Sequence, residues 1–161
     1  MGTNEKLLEQ LNKLRDSRTV IVGIGNTLKG DDAAGPMLCR QLQRCGVRAE
    51  VIDAGTVPEN YIQPIIKKNP QNLLIVEAID SGAPPGAINI FKPNQLNSLI
   101  ISTHTLSPDL FISVIAKEID VDVYIIGIQP ARIQIGESVS AEVSRAVQKL
   151  TRILTGIFAR G

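Results

Sequence analysis

Asp32, Glu77 and His104 are the residues of this chain whose chemical types and placement point to a working site. Two carboxylates and one imidazole form a hard-to-borderline ligand set that suits Ni, Zn or Mn and leaves positions open for substrate groups. Glu77 interrupts the apolar run Leu73–Val76, and a carboxylate near a buried strand is costly unless it is paired or bound to metal. His104 is the only histidine in the chain, so any imidazole chemistry must use it. Asp53 and Asp80 end two apolar runs and join the candidates. Most of these residues also have a plain structural reading: Asp31 and Asp32 complement a helix N-terminus, Asp53 forms an Asx turn, and His104 is a hydrogen-bonded loop residue. Glu77 is the exception.

Several familiar chemistries fail at their own functional positions. Gly23-Ile-Gly25, with Asp53 closing the next strand, imitates a dinucleotide-binding fingerprint, but Leu28 stands where the third glycine belongs. Asp31 and Asp32 would also repel a pyrophosphate at the helix entrance. Gly25 to Gly30 has the glycine spacing of a P-loop, yet those same acids replace the required Lys and Ser or Thr. A Gly-x-Ser-x-Gly elbow is absent, although Ser102 and Ser107 lie close to His104, and a zinc helix with two histidines is excluded. Cys39 falls inside a predicted helix without an obvious partner for nucleophilic attack.

The elements that must position these residues alternate between strand and helix. Strands are predicted over Thr19–Gly25, Val47–Ala54, Asn72–Ile79 and Val121–Gln129. Helices are predicted from the acidic loop to about Arg44, over Val57–Lys68, from Pro108 to Glu118 with Ser107 as N-cap, and over Ser138–Phe158. Ala87–Lys92 follows Gly82-Ala-Pro-Pro-Gly86 too closely for a crossover helix, so it should lie antiparallel to its predecessor at an edge. The expected fold is a three-layer α/β/α domain over residues 1–161, with a mixed, mainly parallel sheet of about five strands. Residues 1–17 add an amphipathic helix, with Leu7, Leu8, Leu11 and Leu14 lining one face, packed on that domain. In such a sheet ligands bind beyond the carboxyl ends of the strands, which is where Asp32, Asp53, Glu77, Asp80 and His104 fall.

The bulk numbers limit the partners. Aromatic residues make up only 3% of the chain, so the core must be built from branched aliphatics. A net charge of +1 without a basic run or an aromatic platform argues against nucleic acid. Cys39 and Cys45, six residues apart on one predicted helix, read as free thiols of a reducing compartment. Without a signal peptide or long apolar span, the expectation is a cytoplasmic monomer with no integral membrane segment.

The ordered blocks Val22–Pro36, Ile52–Asn60, Leu74–Asp80, Pro85-Gly86, Ser102–Thr105 and Gly127–Pro130 resemble those of the hydrogenase maturation endopeptidases. The likeness is strongest to enzymes serving the large subunit of formate-hydrogenlyase-type NiFe hydrogenases, and it runs from about Thr19 to Leu154. The resemblance implies removal of a C-terminal extension from the large-subunit precursor after nickel insertion. It carries a nickel-recognising set onto Asp32, Glu77 and His104, with Asp53 at a further acidic position associated with activity. Nickel would arrive on the substrate, not be held firmly by the resting protein. Glu77 stands where the family usually has Asp, which leaves Glu77 and Asp80 both open as the third-strand ligand. A noncatalytic, metal-dependent maturation chaperone binding the same precursor is the alternative that the missing conventional nucleophile leaves open.

Overall fold

The computed structural model describes residues 3–98, 100–101 and 108–161. The predicted roles of His104, Ser102 and Ser107 fall outside the described residues.

The near-continuous apolar runs become the centre of the sheet. β1 (Thr19–Ile24) is buried along its whole length, and β3 (Asn72–Asp80) is buried up to its last residue. Strands covered on both faces need helices on both sides. The sheet order is β2 (Glu50–Gly55), β1, β3, β6 (Asp122–Ile128), β4 (Ile88–Phe91), with all neighbours parallel except β4 against β6. This is the mixed, mainly parallel sheet expected. A short β5 (Ile100–Ile101), which the sequence pattern did not resolve, pairs antiparallel with Ile79 and Asp80 at the end of β3.

The edge strand runs in the expected direction. β4 does run antiparallel at an edge, but it pairs with β6, which lies between it and its predecessor β3. The Gly82–Gly86 turn carries the chain past the end of β6, where Gly86 N–H donates to Gln129 O at 2.8 Å and Gln129 N–H to Ala87 O at 2.9 Å. Its ladder partner is therefore non-local, a pairing that the sequence pattern did not specify.

Side-chain alternation divides the core in two. Ile21, Leu74, Val76, Ile126 and Ile128 face α2 (Ala34–Cys45), α5 (Ala141–Ile157) and α1 (Thr3–Asn12), the last contributing Leu7 and Leu11, whereas Leu8, expected on the same face, is turned out to the exposed side by its adjacent position in the helix. Val20, Val22, Ile24, Leu73, Ile75 and Ile79 face α3 (Ile62–Lys68) and α4 (Pro108–Glu118), from which Ile65, Phe111 and Ile115 are fully buried. Each such side chain contributes about 1.5–3 kcal/mol through burial. α5 starts at Ala141, capped by Ser140 accepting from Val143 N–H, instead of at Ser138 as the periodicity predicted.

The order 2-1-3 reverses direction between β1 and β3: the chain leaves β1 outward to β2, then returns across it to β3. In doubly wound sheets this switch point opens a crevice at the carboxyl ends of the two strands. The loop after β1 carries Asp32, and β3 carries Glu77.

Candidate active site

Two glycines bring α2 close enough to place its leading turn over that crevice. A Cβ on Gly35 would lie 2.4 Å from Val76 O and 2.7 Å from Ile24 O, and one on Gly23 would lie 2.5 Å from Gly35 O. Helix and sheet therefore touch backbone to backbone. The 3-10 turn Gly30–Ala33, which leads into α2, packs on β3.

Asp32 is buried in that turn, and its Oδ2 accepts from Asn26 N–H at 2.6 Å. Glu77 is buried on β3, on the strand face of Ile75 and Ile79. Burial first, and the neighbouring Asp32 carboxylate second, push Glu77 up to about 8. A pair of acids in this state fits a divalent cation, whose charge relieves both the mutual repulsion and the desolvation. Among the described residues no group of three or more His, Cys, Asp or Glu forms a metal-binding cluster by itself.

Asp80, the competing third-strand acid, lies three residues on and so faces the other side of the sheet. Its carboxylate accepts from Gln129 Nε2 at 3.0 Å and Gly82 N–H at 3.1 Å, and these bonds hold its pKa below the usual carboxylate value. Glu77, not Asp80, is the acid that feels Asp32.

Asp53 lies opposite Gly23, which lies opposite Val76. Two strand spacings, about 10 Å, therefore separate its backbone from the Glu77 level. It pairs with Arg40 of α2 at 3.7 Å, and its Oδ1 accepts from Gly55 N–H at 3.2 Å. Gly55 O in turn accepts from Gly25 N–H at 2.9 Å. Asp53 thus braces the start of the loop that carries Asp32.

Asp31 does more than complement a helix dipole. Fully buried, it accepts from Ala131 N–H at 2.7 Å, Arg132 N–H at 3.2 Å, Ser140 N–H at 2.6 Å and Ser140 Oγ at 2.8 Å. Its own N–H donates to Arg132 O at 3.0 Å. It latches the 130–140 loop to the turn holding Asp32. Nothing local in the sequence marks this role, because the partners lie about a hundred residues away. Gln129 was also missed: buried after an apolar run, it joins Ser81, Ala83 and Asp80, and the reasoning that singled out Glu77 would have found it. Cys39 is a buried free thiol pushed up to about 12, chiefly by desolvation, which makes it inert as a nucleophile at neutral pH.

Comparison with known proteins identifies the class. The HycI family, described as hydrogenase maturation protease, matches residues 36–157. Hydrogenase 3 maturation protease of Escherichia coli is 32% identical, over 85% of this chain and 88% of its own length. The crystal structure of a [NiFe] hydrogenase maturation protease HycI from Thermococcus kodakarensis superposes with a TM-score of 0.85 at 28% identity, covering 96% of this chain and 99% of the other. HybD, the [NiFe] hydrogenase maturation protease of the same organism, gives 0.71 at 25% identity over 88% and 99%. The chain belongs to the hydrogenase maturation protease family and is a peptide-bond hydrolase.

Proposed function

We propose that this peptidase removes the C-terminal extension of a NiFe hydrogenase large-subunit precursor once nickel has been inserted, and that it recognises the nickel as part of its substrate. One observation carries the reading: Asp32 and the buried Glu77 meet at the switch-point crevice in a state that a cation stabilises. Asp32 and Glu77 bind the substrate's metal from the sheet side, and His104 supplies the third ligand. The bound nickel supplies positive charge beside the scissile peptide. The chain's own groups orient that peptide at the crevice for attack by water. Each tenfold preference for loaded over unloaded precursor requires about 1.4 kcal/mol of differential binding.

The deciding experiment incubates the peptidase with nickel-loaded and nickel-free precursor and follows intact mass. Shortening of the loaded form alone is expected. Equal shortening of both, or stable capture without a new C-terminus, would sink the reading.

Asp53, the third acid that the resemblance connects with activity, acts in this reading as a positioning residue through Gly55 and Gly25. Asp53→Ala should lower kcat by roughly tenfold, as expected for a misplaced reacting group. Asp53→Asn keeps the acceptor for Gly55 N–H and should recover most of that loss. A variant Asn as impaired as Ala would show instead that the charge itself is required.

A further inference from the structure

Among the described residues, the large apolar side chains left exposed are Leu8, Leu28, Val57, Leu110 and Ile135. Leu8 sits on α1. The other four follow the carboxyl ends of β1, β2 and β6 or open α4, so the topology puts all of them on the rim that carries Asp32 and Glu77. Leu28 and Ile135 are the barest, at 69% and 77% exposed.

These two do not sit on independent loops. Gly136 N–H donates to Leu28 O at 3.0 Å, and Leu28 N–H donates to Asn26 Oδ1 at 2.9 Å. The Asp31 latch fastens the same two loops at their bases. Apolar side chains held bare on an ordered backbone have already met much of the entropy cost of binding.

We propose that Leu28 and Ile135 form an apolar ledge that docks the precursor protein beside its cleavage segment. The inference rests on the function proposed above and adds a protein-recognition surface to it. The ledge offers on the order of a few hundred Å² of apolar area, well short of the roughly 800 Å² per partner that a stable dimer needs, but enough for the anchor of a transient enzyme–substrate contact. Its border carries both signs of charge, with Arg132 paired to Glu137 at 3.6 Å. An apolar centre with a mixed polar border is the anatomy of a protein interface, whereas an anionic membrane surface calls for a basic border.

The test compares wild type, Leu28→Ser/Ile135→Ser, the conservative Leu28→Met/Ile135→Val, and Leu8→Ser as a distant control, all on nickel-loaded precursor. The serine pair should raise KM at least tenfold with kcat within twofold, and the conservative pair and the control should stay near wild type. An unchanged KM in the serine pair, or an equal rise in the control, overturns the ledge. So does a wild-type dimer, or wild-type binding to phosphatidylserine vesicles, that the serine pair abolishes, because the ledge would then serve a second copy or a lipid surface. A wild type that fails to cut the loaded precursor sinks the functional reading itself, and is distinguishable from all of these.

Discussion

Glu77→Gln is expected to melt higher than the wild type at neutral pH and to leave the nickel-loaded precursor uncut. The carboxyl is pushed up to about 8 in the folded, metal-free protein, against an ordinary value of 4.5. Below the ordinary value both folded and unfolded chains hold the proton, and the acid carries no penalty. Between the two values the unfolded chain has released its proton while the folded chain retains it, so stability falls as pH rises, by about 1.4 kcal/mol per unit. Above the folded value the loss is complete and the curve flattens. At pH 7 the wild type has forfeited on the order of 3 kcal/mol, which the neutral amide avoids; for a chain of this size that corresponds to about 8 °C in Tm. Melts from pH 5 to 9 in chelator-containing buffer should show the gap between variant and wild type widening up to about pH 8 and levelling off beyond it. A constant gap would refute the assigned burial and charge environment, and wild-type cutting by the variant would remove Glu77 from the site.

Asp31→Ala should have the opposite effect on stability. It strands three backbone N–H groups and the Ser140 hydroxyl, all of which now reach a single buried carboxylate. Breaking such a network costs about 3–5 kcal/mol. Asn is not a conservative replacement, because its NH2 would face donors where the carboxylate presents an acceptor. The variant's urea midpoint should fall, and the amides of Ala131 and Ser140 should lose hydrogen-exchange protection far more than those of β1. Cutting should fall as well, since the turn holding Asp32 loses its anchor. Unchanged protection at Ser140 would show that the latch contributes nothing.

The two acids illustrate what a sequence can and cannot disclose. Glu77 was legible because burial along β3 is written in consecutive residues, and a charge among them has few innocent explanations. Asp31 and Asp32 stand side by side with identical local chemistry; the resemblance singles out Asp32, but only the arrival of the 130–140 loop shows that Asp31 holds the fold. The parallel strands were legible for the same reason as Glu77. The position of β4 was not, because pairing with β6 depends on a strand more than thirty residues further along. Glu77 and Asp80 could be told apart only once the strand's phase was fixed. The start of α5 shifted from Ser138 to the Ser140 cap, a distinction that depends on the bond from Ser140 to Asp31.

The contact between Gly35 and the ends of β1 and β3 behaves as a mechanical stop. Interfaces built from side chains can be retuned by rotamer changes or by trading one hydrocarbon for another. Here the spacing is set by the van der Waals radii of main-chain atoms, which offer no such adjustment. The distance from the α2 turn to the third strand is consequently a fixed gauge, and the gap between the two acids inherits its tolerance of tenths of an ångström. Even one methyl group at position 35 would act as a shim, withdrawing Asp32 from Glu77 without touching either.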